Sequence, residues 1–190
     1  MSNSIKRITT FVQYILKNKI EKGNTVVDAT MGNGNDTLFL SQLVGNTGKI
    51  FSFDIQHIAL ENTQKQLIDH KLNSYDIMLI NDSHENLKKH IMEPIDAAMF
   101  NLGYLPKGDH SIITNPDSTI KGILSALSLL KKGGIISIVI YYGHDGGEAE
   151  KKQVLDFLNA LSCEEVTIMQ CDYINHNNNP PIVVFIEKNK

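Results

Sequence analysis

TVVDATMGNGNDTLFL, residues 25–40, holds a strand, a loop and a helix in that order. Val26 and Val27 form an apolar β-branched run that ends in Asp28. Gly32 and Gly34 then open a tight loop, and Asp36, or the Asn35–Asp36 pair, is placed to cap a helix carrying Leu38, Phe39 and Leu40. A strand, glycine-bearing loop and helix make a nucleotide-type binding corner, because glycine lets the backbone approach a ligand without a Cβ in the way. A dinucleotide site wants a third glycine, and Thr37 stands where it would fall. Asp28, closing the strand and facing the loop, repels an anion and welcomes an ammonium. The corner therefore favours S-adenosylmethionine over NAD.

The same alternation continues outward. Residues 49–54 (KIFSFD) give a second strand ending in Asp54, 20 residues after Gly34, where βαβ nucleotide folds place an acid on ribose hydroxyls. A helix N-cap is the competing role for Asp54. Gln56 and His57 follow, then a helix over 57–70. Residues 75–80 (YDIMLI) are a third strand, ending in Asn81, Asp82, Ser83 and His84. Asp82 and Ser83 could meet an adenine edge or cap the next helix, 84–91. Residues 95–101 (IDAAMFN) are a fourth strand running into Leu102, Gly103, Tyr104 and Leu105. Asn115–Pro116 starts a helix that runs to about Leu130 and stops at Lys132-Gly133-Gly134. Ile135 to Tyr142 is a fifth, buried strand with Tyr142, His144 and Asp145 at its end; a helix over 146–161 and strands over 164–173 and 181–188 complete the chain. The joint INHNNNPP between the last two is a loop with room for function. Ahead of all this, Ile5, Ile8, Val12, Ile15 and Leu16 recur at helical spacing, so residues 4–20 form an amphipathic helix whose lysines are a solvated or an RNA-facing edge.

The expected fold is α/β: one Rossmann-like, doubly wound, seven-stranded sheet of order 3-2-1-4-5-7-6, with strand 7 antiparallel and an N-terminal helix, in a single domain over residues 1–190. A length of 190 residues, 42% hydrophobic and 21% charged, suits that size of core. No apolar run approaches the roughly 20 residues that cross a bilayer, and the first residues carry no signal-peptide pattern. Two cysteines, Cys163 and Cys171, exclude an iron–sulfur cluster and point to a reduced cytoplasm without a disulfide. No metal-ligand pattern is present. Net charge of −3 speaks against a generic nucleic-acid binder but leaves room for a local basic patch, made of lysines because Arg7 is the only arginine.

The chain resembles the class I S-adenosylmethionine-dependent methyltransferases throughout. Asp28, Gly32 and Gly34 match the first motif of those enzymes, with Thr30 in place of its first glycine; Asp54 matches the ribose-binding acid and Asp82–Ser83 the adenine-side motif. Asn101-Leu102-Gly103-Tyr104 resembles the Asn-Pro-Pro-Tyr motif of amino-group methyltransferases without its prolines. More narrowly, DATMGNGNDT, DSHENL, FNLGYLPKGDH and the late NNNPP are similar to a small bacterial family once labelled as rRNA methylases and now understood to methylate 5-aminomethyl-2-thiouridine at tRNA position 34. That resemblance implies a cofactor set of Asp28, Thr30, Gly32, Asn33, Gly34, Asn35, Asp36, Asp54, Gln56, Asp82, Ser83 and His84. It implies a partner, the tRNA anticodon stem-loop, and a wobble-uridine amine as acceptor. The Asn101 side-chain oxygen and the Leu102 carbonyl are expected to accept the amine hydrogens, with Gly103 leaving room for the side arm. Tyr104 or Tyr142 would stack on the base, Asp145 or His144 would anchor the amine or take its proton, and Lys107 and Lys121 would meet phosphates. Strand-end packing competes for Tyr142 and His144, and a loop cap for Asn101. The alternatives are a class I methyltransferase acting on rRNA, a protein or a small amine, and a cofactor- or RNA-binding module without catalysis. The apolar last strands could bury an edge in a homodimer.

Overall fold

In the computed structural model, residues 7–103 and 114–190 are described. Seven strands form one sheet: β1 (Thr25–Asp28), β2 (Lys49–Phe53), β3 (Asp76–Ile80), β4 (Ile95–Leu102), β5 (Leu130–Ile140), β6 (Val166–Cys171) and β7 (Ile182–Lys188). Their order is β3-β2-β1-β4-β5-β7-β6, with β7 antiparallel to both neighbours and the pairings from β3 through β5 parallel. This is the doubly wound sheet expected from the sequence. β1 is buried along its whole length, which is why it reads as a continuous apolar run and not as an alternation.

The helices are α1 (Ile8–Leu16), α2 (Asn35–Val44), α3 (His57–Asp69), the short α4 (Leu87–His90), α5 (Pro116–Leu129) and α6 (Gly147–Asn159). They cover both faces. On one face Val12 and Leu16 of α1, with Phe39, Leu40 and Val44 of α2, pack on Val26, Ile50, Ala97, Met99 and Val139. On the other, Leu87, Ile123, Ala126, Val154 and Leu158 pack on Phe53, Ala98, Phe100, Ile136 and Ile138. Successive residues of β4 and β5 thus serve opposite cores, as a period of two requires. Each fully buried Phe or Leu contributes about 1.5–3 kcal/mol.

Three boundaries differ from expectation. α1 ends at Leu16, not at residue 20, because the chain turns there and the Asn18 side-chain amide donates to the Tyr14 carbonyl at 2.8 Å; Ile5 lies outside the described residues. Neither Asn35 nor Asp36 caps α2. Gly34 holds the N-cap position in a left-handed conformation (φ 79°) without a side-chain cap, and Asp36 lies inside the first turn, where its charge suits the helix dipole. α5 stops at Leu129 and the strand begins at once. Leu130 pairs with Ile95, and residues 131–134 then bulge before Ile135 pairs with Ala97. Gly134 packs so closely on the Asp96 carbonyl that a Cβ would lie 2.9 Å from it. The start of α5 is as read: Pro116 follows Asn115, whose side chain accepts from the Ser118 N–H at 3.0 Å.

Candidate active site

A cavity of about 920 Å³ opens at the carboxyl ends of β1, β2, β4 and β5, where ligands lie in open α/β sheets. Thr30, Gly32, Asn33, Asn35 and Asp36 from the glycine loop line it, with Asp54 and Gln56 after β2, Asp82, Ser83 and His84 after β3, Asn101, Leu102 and Gly103 of the β4 end, and Tyr142 and His144 after β5. Of the site positions singled out in the sequence, Asp28, Gly34 and Asp145 are off this wall, and Tyr104 and Lys107 lie outside the described residues.

Asp28 is not on the cavity wall. It is fully buried beneath the loop, where its carboxylate accepts from the Thr37 hydroxyl at 2.7 Å and from the Thr30 N–H at 3.3 Å. Its expected contact with an ammonium is therefore corrected to a scaffolding role. Burial, with the Asp36 charge second, pushes its pKa up to about 7. The unfolded carboxyl has an ordinary value of 3.8, so between these two values the folded chain holds a proton that the unfolded chain has released. The contribution to stability is complete below about pH 4 and is lost as the pH rises to about 7. Melting curves from pH 4 to 8 should show Asp28→Asn gaining on the wild type as pH rises; parallel curves would refute this account.

Gly34 also leaves the wall and packs on α3, where a Cβ would lie 2.9 Å from the Thr63 Cα. Gly32 stays in it, donating its N–H to Asp54 Oδ2 at 2.9 Å. Asp54 also accepts from the Gln56 N–H at 2.9 Å, so this acid fastens the first loop to the second. Burial raises its pKa against those hydrogen bonds. Asn33 is held from α3 by Asn62 (3.0 Å) and Gln66 (2.6 Å). Asp82 is bound by His90 (2.8 Å) and Asn86 (2.7 Å), which lower its pKa, and Ser83 accepts from the Glu85 N–H. His84 is buried, edge-on to Phe100, and burial lowers its pKa.

At the β4 end, Thr30 explains its own departure from glycine. Its hydroxyl accepts the Asn101 N–H at 2.7 Å and ties the glycine loop to the fourth strand. The Asn101 side-chain Nδ2 donates to Asp36 Oδ2 at 2.8 Å. The Leu102 carbonyl accepts from the Tyr141 N–H at 3.1 Å, so its expected role as an amine acceptor gives way to a sheet bond. Gly103 is clasped: its N–H donates to Thr114 Oγ1 (2.8 Å), its carbonyl accepts from the Thr114 N–H (2.9 Å), and the Thr114 hydroxyl donates to buried Glu150 of α6 (2.8 Å).

Two further expectations are corrected. Tyr142 is only 9% exposed and Lys151 Nζ sits 3.8 Å over its ring, so it is not an open stacking surface. Asp145 is exposed and off the cavity wall. The aromatic group in reach is Tyr141, 36% exposed and in the wall. Lys121 is exposed on α5, 3.5 Å from Glu85. The wall also contains Thr9 and Gln13 of α1, Ile55, Thr114 and Asn179, which the sequence reading passed over. Thr9 and Gln13 stand four apart beside the apolar stripe of α1, a spacing that could have flagged them. Asn179 belongs to the Asn-rich joint that the sequence marked as a place for function.

A family described as "Putative rRNA methylase" matches residues 50–187. The chain belongs to this family. It is 37% identical to an Arabidopsis thaliana protein named tRNA (mnm(5)s(2)U34)-methyltransferase, chloroplastic, over 96% of this chain and 70% of that one. Among solved structures it is similar to a "putative rRNA-methylase" from Clostridium thermocellum (49% identity, 97% of this chain and 99% of that one, TM-score 0.94). It is also similar to a "putative methyltransferase" from Streptococcus mutans in complex with SAH (41% identity, 97% of this chain and 99% of that one, TM-score 0.87). The protein is a methyltransferase of the RNA-modifying type. Among the described residues no cluster of His, Cys, Asp or Glu could hold a metal ion, and no helix is long and apolar enough to cross a membrane.

Proposed function

We propose that this methyltransferase, acting as one domain, transfers a methyl group from S-adenosylmethionine to the primary amine of 5-aminomethyl-(2-thio)uridine at tRNA wobble position 34, giving the 5-methylaminomethyl form. The cavity fits the cofactor by its chemistry. Asp36 and Asp54 make the wall acidic, which suits an amino acid ammonium and a sulfonium and opposes a pyrophosphate. Ile55, Met31 and Ala29 offer apolar surface beside the Asp54 carboxylate, as a nucleoside needs. Bound there, S-adenosylmethionine supplies an electrophilic methyl on a sulfonium leaving group.

The observation that carries the reading is the Asn101 side chain. Its Nδ2 donates to Asp36, so the acceptor end of this wall residue is Oδ1. An amine brings hydrogens to such an acceptor and turns its lone pair outward. A free alkylammonium, with an ordinary pKa of about 10.4 by analogy with lysine, has no lone pair. The amine must shed that proton before its nitrogen can attack. Asn101 then orients the nitrogen, and Gly103 leaves space for the side arm. Tyr141 offers a face for the base. The likeness to the Arabidopsis protein supports this amine above others. Both cysteines are free, which supports a reducing compartment such as the cytoplasm. For a homodimer the β6 edge, with Met169 half-exposed, offers the surface, and light scattering that finds only monomer would remove it.

The test uses tRNA from cells lacking the protein, digested to nucleosides for mass spectrometry. The expected result is that 5-aminomethyl-2-thiouridine accumulates and its methylamino product vanishes. An unchanged wobble nucleoside would overturn the tRNA assignment, and methyl transfer to rRNA would replace it.

A further inference from the structure

Asn101 is a two-ended group. Turned one way it offers an acceptor to the cavity; flipped about its last torsion it offers an NH₂ donor instead. The first form binds a group that brings hydrogens, the second a ring nitrogen or carbonyl that brings only lone pairs. The backbone does not choose between them, because the Asn101 N–H is already fixed on Thr30 Oγ1 at 2.7 Å in either case.

We infer that Asp36 is the positioning residue that makes this choice, and so sets the acceptor class of the enzyme as an amine. This rests on the reading above. Asp36 Oδ2 receives the Asn101 Nδ2 at 2.8 Å, and Oδ1 lies 3.5 Å from the Gln13 Nε2 of α1. An ionised carboxylate has only acceptors. A flipped amide would set oxygen against oxygen at that distance and lose a charge-assisted hydrogen bond. The contact joins residues 65 apart in sequence and links the first turn of α2 to the end of β4. Burial pushes the Asp36 pKa up, and the two hydrogen bonds to its carboxylate oppose that push. Gln13 thus gives α1 a part in the site.

Methyl transfer then needs nothing from Asp36 itself. The amine nitrogen forms a bond to the methyl carbon, the sulfur–carbon bond breaks with its electron pair passing to sulfur, and the extra proton on the new secondary amine leaves to water.

The test is Asp36→Asn, which keeps the shape and reverses the preference: with its Oδ1 still accepting from Gln13, its new NH₂ faces Asn101 and donates to the amide oxygen, turning the Asn101 NH₂ to the cavity. Turnover on tRNA carrying the aminomethyl group should fall about thirtyfold, the worth of one charge-assisted hydrogen bond. The KM for S-adenosylmethionine should rise by less than turnover falls, because the cofactor's wall loses the Asp36 charge and keeps its nucleoside subsite, a split that a merely structural lesion would not give. Hydrogen exchange of the Asn101 side-chain amide in ¹⁵N-labelled protein, assigned by its loss in Asn101→Ala, is read on the protein alone. It should be slow in the wild type and fast in Asp36→Asn. Turnover of Asp36→Asn within twofold of wild type, or a freely exchanging wild-type amide, would overturn the inference. If the wild type leaves the aminomethyl tRNA unmethylated while the amide is protected, the tRNA reading fails and the positioning by Asp36 stands. Wild-type transfer to a ring nitrogen without hydrogens would overturn the amine class itself.

Discussion

Turnover of an Asn101→Ala variant is expected to fall about a hundredfold, some 2.7 kcal/mol of lost transition-state stabilisation. Its affinity for S-adenosylhomocysteine should change less than about threefold. The asymmetry follows from where the side chain points. Its Nδ2 meets Asp36 on the protein side, and under the proposed reading its Oδ1 receives the amine hydrogens. The cofactor's nucleoside end lies instead against Asp54, Gln56 and Ile55 under the proposed reading, and none of these depends on Asn101. Truncation therefore removes the element that aligns the amine and leaves the nucleoside subsite intact. Isothermal titration with the product and single-turnover methyl transfer separate the two quantities. A parallel loss of binding and turnover would reassign Asn101 to the cofactor site.

Gly34→Ala should be among the most destabilising single changes in the chain, costing about 2–4 kcal/mol and lowering the melting temperature by roughly 10 °C. Two penalties add there. The residue holds φ at 79°, which an L side chain adopts only with strain. The new Cβ would also lie 2.7–2.9 Å from the Thr63 side chain and Cα, on a residue with no exposure and no room to retreat. Gly133→Ala is the matched control. Its φ is 76°, yet nothing lies within 4 Å of the added atom, so it pays strain alone. Equal melting temperatures for the two variants would show that the α2–α3 contact yields easily and that the clash is not the main cost.

The sheet was legible because each strand announces itself by composition and the first three run into acids. Val26–Asp28, Phe53–Asp54 and Ile80–Asp82 mark three carboxyl ends in a row, and the parallel register follows from the helices between them. What the sequence could not show was depth. Asp28 and Asp36 are both acids of the same loop segment, but one lies under the loop and the other on the wall, since Asp28 belongs to a strand buried throughout while Asp36 sits in the first turn of α2. Gly32 and Gly34 divide in the same way, one toward the ligand and one toward Thr63. Tyr141 and Tyr142 are neighbours just past the end of β5, where strand alternation no longer fixes which side a residue takes. Contacts across the sheet, such as Asn101 with Asp36 or Thr114 with Glu150, have no local signature at all.

The clasp between Gly103 and Thr114 has a consequence for how such a protein can diversify. Because the chain leaves and returns through one hydrogen-bonded pair, backed by Glu150 from a different helix, the two ends are fixed at the sheet independently of the length carried between them. Closing a loop of twice the length costs only about 0.6 kcal/mol more. Insertions and deletions between the two residues can therefore accumulate in evolution while the fold and the cofactor corner stay unchanged.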